Sequence, residues 1–211
     1  MITHSIDSAC SLGFSCHSSQ ILKRNKYKRC SYPFDWIFSN CDNIIHCIQS
    51  NFNIFLDKSY YIDISPSQCG HSKYHERMFN HHNPLANVDH YNYYVRCVDR
   101  FRNLLQNQEN KLFITTLLNM NSVDDDVKNE MIKLNTELSK YTSNYRLLVI
   151  IHIPNKEQNH SIFTCNDNID FLELHTLSTS CGVQFYNNDD NTYLDNIIKS
   201  KYDFTIDNID K

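Results

Sequence analysis

LFITTLL at residues 112–118, VDDDVKNEMIKLNTELSKY at 123–141 and RLLVII at 146–151 form the stretch on which the fold turns. The two short runs are aliphatic and β-branched with little polar alternation, the pattern of strands covered on both faces. Between them Val127, Met131, Leu134, Leu138 and Tyr141 recur at steps of four and three, so they fall on one helical stripe. Asp124 to Asp126 supply the negative charge that a helix N-terminus favours. Strand, helix, strand at this spacing predicts parallel pairing through a helical crossover.

Working outward, IDFLEL (169–174) and VQFY (183–186) read as two further strands and TYLDNIIKS (192–200) as a terminal helix. Upstream, Tyr91, Tyr94, Val98, Phe101 and Leu105 share one face of a core helix. Residues 2–12 read as a strand, with helices from Cys16 to Tyr27 and from Asp42 to Asn51. Residues 53–90 carry few periodic apolar positions and many His, Tyr, Asn and Ser, so they read as loops of the kind that form a site or lid. The expected fold is α/β, a layered domain with a mainly parallel sheet and flanking helices. It spans 1–211 as one domain, with a motif-bearing half at 1–106 and a βαβ-like half at 107–211.

The formal charge of −4 and a pI near 6.2 argue against a nucleic-acid partner held through its phosphates. Lys and Arg do gather in KRNKYKR (23–29), which reads as a helix end whose dipole favours cations. Nine cysteines without a C-x-x-C pair do not make a disulfide framework, and no apolar run is long enough to cross a bilayer. The expectation is a soluble protein of a reducing compartment, the cytoplasm. Asn, Ile, Lys and Tyr are abundant while Ala occurs only at Ala9 and Ala86, a usage that follows an AT-rich genome.

Near the N-terminus SLGFSC (11–16) places a thiol just after a glycine turn and at the start of a helix, where free backbone N–H groups and the macrodipole favour thiolate. SYPFDWIF (31–38) follows, with the carboxylate of Asp35 bracketed by Phe34 and Trp36. This pair of motifs resembles the family described as putative papain-like cysteine peptidases, found in bacteria and large DNA viruses. MFNHHNP (78–84) and YYVRCVDRFRNLL (93–105) extend the resemblance to the family's Phe-x-His element and Arg-bearing helix. It implies a cysteine peptidase or related thiol-dependent hydrolase, with a papain-like α+β fold as the alternative architecture. Together with the residue usage it points to a large amoeba-infecting DNA virus, and hence to the host-cell cytoplasm.

A thiol nucleophile needs a base, and the base an orienting group. The expected catalytic residues are Cys16 as nucleophile, His81 as base and Asp35 as orienter, with Asp89 or Asp189 as substitutes for Asp35 and amides near Ser15 to His17 for the oxyanion. Trp36, His82, Arg96 and Arg100 are assigned to the substrate, a peptide, isopeptide or acyl group. The arginines carry a second reading, in which they bind internal carboxylates or carbonyls and hold their helix to the PFDW loop. No cofactor is expected. Cys69, His71, His75, His81, His82 and His90 crowd into 22 residues as a rival zinc set, but without paired ligand spacing, so no metal is assigned. The competing function is an acyl or glycan-modifying transferase, or an inactive viral binding protein that keeps the motifs as architecture.

Overall fold

The structure, a computed structural model, describes residues 4–205. Its centre is a five-stranded sheet built from β2 (Ser8–Ser11), β6 (Lys111–Leu117), β7 (Tyr145–Ile153), β9 (Ile169–His175) and β8 (His160–Asn166), in that spatial order. The first four strands are parallel and β8 runs antiparallel at the edge. The parallel register excludes the papain-like α+β alternative and makes the chain α/β. The helices are α1 (Cys16–Arg24), α2 (Cys41–Gln49), α3 (Val88–Gln106), α4 (Asp125–Leu138) and α5 (Asn188–Lys201).

β7 shows why the layers form. Leu147, Val149 and Ile151 face a core shared with Ile44, Tyr94, Phe101, Met131 and Leu134 from α2, α3 and α4, while Leu148 and Ile150 face Ile21 and Leu22 of α1 and Leu194 and Ile198 of α5. A strand buried on both faces is mostly apolar, and this one is buried at all but one position, with Arg146 and the hydrogen-bonded His152 as its polar residues. α4 starts where the carboxylate of Asp124 accepts from Val127 N–H at 2.8 Å. At the first core's centre, Phe34 of the PFDW loop meets Phe52 and Phe101 at 5.7 Å between centroids.

Several elements differ from the sequence reading. The first strand is two, β1 (His4–Ile6) and β2, and β1 pairs not with the main sheet but with β10 (Tyr202–Phe204). Helix α1 stops at Arg24 because Asn25 caps it and Lys26 turns to φ +61°. Residues 53–90 hold a three-stranded antiparallel sheet, β3 (Tyr61–Ser65), β4 (Gln68–His71) and β5 (His75–Phe79), whose polar, short strands carry no run of apolar alternation. Edge strand β8 also escaped, since its HSIFTCN is mostly exposed. VQFY forms no strand; Phe185 makes an isolated bridge to Ser180.

Candidate active site

Ligands of open parallel sheets bind beyond the carboxyl ends of the strands, and Cys16 lies there. β2 ends at Ser11, and the chain turns through Gly13 (φ +77°) and Phe14 (φ +71°) into Ser15, the N-cap of α1. A Cβ at Gly13 would lie 2.5 Å from Ser39 Oγ and 3.1 Å from the Phe34 carbonyl, so only glycine lets the turn sit this close to the PFDW segment. Phe14 stores strain of the kind found at functional sites, and Ser39 Oγ accepts its N–H at 3.2 Å. Ser11 Oγ accepts from Gly13 N–H, and Ser11 and Ser18 hydroxyls meet at 2.7 Å, bracing the turn against the helix.

Cys16 Sγ lies 3.6 Å from His81 Nε2, across 65 residues of chain. The Cys16 residue is 8% exposed, while the His81 imidazole is exposed. Burial, then the charge of Asp35, push the Cys16 thiol above its ordinary value, opposite to the thiolate expected at a helix N-terminus. Desolvation outweighs the dipole because the thiol is buried.

Asp35 does not orient His81. It is buried, accepts from Tyr32 N–H at 2.8 Å and is ion-paired with Lys28. Burial raises its carboxyl even against these partners. Its position explains the motif: the Lys28–Asp35 pair ties the end of α1 to the PFDW turn. Among the described residues no carboxylate is bonded to His81. Asp89 and Asp189 lie in the first turns of α3 and α5.

His82 stacks on Tyr93 at 4.8 Å, its Nδ1 buried without a partner, and burial followed by neighbouring His90 and His81 lowers its pKa. Trp36 is half-buried beneath the ammonium groups of Lys28 and Lys23, 5.2 and 5.9 Å from the ring centre. Arg100 Nη1 reaches the Ser31 carbonyl at 3.5 Å, so it links α3 to the segment before PFDW, while Arg96 is exposed. The would-be zinc ligands are spent elsewhere: Cys69 Sγ donates to the Gly70 carbonyl, His71 Nε2 to the Ile54 carbonyl, and the Nδ1 atoms of His75 and His90 accept backbone N–H groups. Among the described residues no three such side chains converge on a metal position.

The sequence reading missed a chain of polar groups behind Cys16. His17 is wholly buried, and its Nδ1 meets Ser180 Oγ at 2.9 Å. That hydroxyl donates to the Gln184 carbonyl and accepts from Gly182 N–H, so His17 carries its proton on Nδ1 and leaves a bare Nε2 in the interior. Asn119, at φ +57° just past β6, grips both the N–H and the carbonyl of Ser180 at 2.8 and 2.9 Å. Its own N–H goes to His152 Nδ1, whose Nε2 donates to Thr176. Burial holds His17 down to about 3 and His152 to about 4. The one signal in sequence was position: each group stands at or just past a strand end or beside Cys16.

Residues 7–80 match a family described as "Putative papain-like cysteine peptidase". The match takes in Cys16, Asp35 and Trp36 and ends one residue before His81. No curated protein and no solved structure matches the chain.

Proposed function

We propose that this chain is a cysteine peptidase or related thiol-dependent hydrolase working through a Cys16–His81 dyad. The observation that carries the reading is the 3.6 Å contact between thiol and imidazole at the carboxyl end of a parallel sheet. The family match over residues 7–80 supports the same general kind of activity. In this reading His81 Nε2 takes the Cys16 proton as Sγ attacks the substrate carbonyl, and the thioester forms as His81 returns the proton to the departing amine. Water, deprotonated by His81, then cleaves the thioester and regenerates the thiol. Free N–H groups in the first turn of α1 supply the charge that steadies the oxyanion.

A peptide or isopeptide is the leading substrate, with acyl transfer from a thioester as the alternative chemistry of the same dyad. The AT-biased residue usage fits a large amoeba-infecting DNA virus, with the host-cell cytoplasm as the place of action. No helix among the described residues is long and apolar enough to cross a membrane.

Site-resolved mass spectrometry after exposure to peptide, ubiquitin-like and thioester electrophiles tests the reading. The adduct has to be mapped, because Cys165 and Cys181 are exposed thiols that also react. Adducts on Cys16 that disappear in Cys16→Ser and slow in His81→Ala are expected with the peptide or ubiquitin electrophile. Reaction with thioesters alone moves the function to acyl transfer. No adduct at Cys16 with any of them leaves the turn as architecture and favours a binding protein.

A further inference from the structure

The run KRNKYKR does more than end a helix. Only Lys23 and Arg24 belong to α1; Lys28 and Arg29 lie beyond it and fold back toward the PFDW segment. Lys23, Lys28, Arg29, Cys30, Ser31 and Trp36 then line one open cavity of about 350 Å³. Its charge is unbalanced. Lys28 is neutralised by Asp35, and Arg29 has only a 3.9 Å, solvent-exposed contact with Glu109, of the kind that contributes little. Lys23 is exposed and has no carboxylate partner among the described residues, its ammonium resting against the indole. Arg100 adds a further cation where it meets the Ser31 carbonyl. Four cations thus stand against two carboxylates, on a chain whose formal charge is −4.

The cavity is aligned with the nucleophile. Cys16 and Lys23 are seven residues apart on α1, two turns along nearly the same stripe, which sets them about 10 Å apart along the axis. That is the span of about three residues of extended peptide.

We infer that this cavity is an acidic-residue subsite of the proposed peptidase: it takes a Glu or Asp side chain of a peptide about three positions from the bond that Cys16 attacks. The carboxylate sits between Lys23 and Arg29, and the aliphatic part of the same side chain packs on Trp36. The inference rests on the proposed function for its substrate, but the binding itself needs no chemistry at Cys16.

Trp36 is the chain's single tryptophan, so its fluorescence reports this cavity and no other. The full-length Cys16→Ser chain is titrated with acetyl-Glu-Glu-Glu-amide, with acetyl-Gln-Gln-Gln-amide and with inorganic phosphate. The expected result is a saturable change with the Glu peptide, at least about tenfold weaker for the Gln peptide, as a charge-assisted pair requires. Lys23→Gln and Arg29→Gln should each weaken it by about fivefold, and Lys23→Arg should restore it. Both side chains are exposed, and circular dichroism checks that the variants fold. Equal response to the Glu and Gln peptides, no saturable response, or tighter binding of phosphate than of the Glu peptide overturns the inference. If the Glu peptide binds while Cys16 of the wild type proves inert to every electrophile, the subsite stands and the proposed hydrolase falls.

Discussion

The two ends of the central sheet are built on opposite principles. At the end where β7 and β9 begin, Asp170 is gripped by Arg146 Nε and Nη2 at 2.5 Å each and by Tyr202 Oη at 2.6 Å. Lys111, almost wholly buried, donates to three backbone carbonyls. Burial works against the Asp170 charge, yet Arg146 and Tyr202 hold its carboxyl below the usual value. At the other end stand Cys16 beside an exposed imidazole, and His17 and His175, each with one buried ring nitrogen that has no partner. Buried polar groups are ordinarily satisfied. At the first end a fully partnered cluster ties the strand starts together, while at the other the fold leaves ring nitrogens of His17 and His175 without a partner.

The largest effect should come from the reactive end. If a substrate is found, Cys16→Ala abolishes turnover and His81→Ala slows it by about 10²–10⁴-fold, the range for a general base. Neither should move the midpoint of thermal unfolding by more than a few degrees, since each loses a single 3.6 Å contact between α1 and the loop after β5, where His81 is exposed. A large loss of stability in His81→Ala would make it a structural residue and erase the contrast between the two ends.

Acid should act next, through the histidines behind Cys16. His17 and His152 have folded-state pKa values of about 3 and about 4, below the ordinary 6.5. The unfolded chain therefore binds more protons as the pH falls below 6.5, and their stability contribution, complete above it, is lost progressively down to about 4 and 3. Each tenfold step is worth ~1.4 kcal/mol per group, so several kcal/mol are at stake. Asp170 works differently: its depressed carboxyl keeps its contribution until the pH drops below about 3.8. Urea unfolding at pH 7, 5.5 and 4.5 should show a steady decline, whereas a flat profile would mean that these rings are not held neutral.

Asp170→Asn attacks the partnered end directly. It leaves Arg146 with a neutral partner and should cost about 3 kcal/mol, the lower bound for breaking a buried pair. The alkylation rate of Cys16 in the folded protein should be unchanged, and a parallel loss of reactivity would show that the two ends are coupled through the strands.

A smaller effect sharpens the chemistry. Because burial raises the Cys16 thiol, its alkylation by iodoacetamide should climb with pH through 9 without an earlier plateau. A plateau already present at pH 6 would reveal a standing thiolate–imidazolium pair. The smallest change is expected for Arg96→Ala. This exposed side chain should alter both stability and Cys16 reactivity by less than about twofold.

How much of this was legible in the residues depended on how local the cause was. The helices α3 and α4 could be read because a stripe every third or fourth residue is a property of a few consecutive turns, although α4 ends at Leu138 and leaves Tyr141, read as part of its stripe, exposed beyond it. So could β7, whose burial on both faces leaves no polar position in its centre. β8 and the β3–β5 sheet carried no such mark, since their strands are short, exposed and stabilised by partners rather than by their own pattern. Cys16 was visible as a thiol at a turn entering a helix. The role given to Asp35 was read from its neighbours in sequence, while its ion partner Lys28 lies on the stretch leaving α1.

By itself, then, the sequence determined the α/β class, the parallel rhythm of its second half and the glycine turn before Cys16, because each follows from spacing along the chain. Only the tertiary structure decided which imidazole meets the thiol, that Asp35 serves Lys28, that His17, Ser180, Asn119 and His152 lock the loops behind Cys16, and that a basic run makes a cavity beside Trp36. Those contacts join residues up to 163 positions apart. They form only once packing around the sheet has met the entropy of closing such loops, a cost that local sequence pattern does not encode.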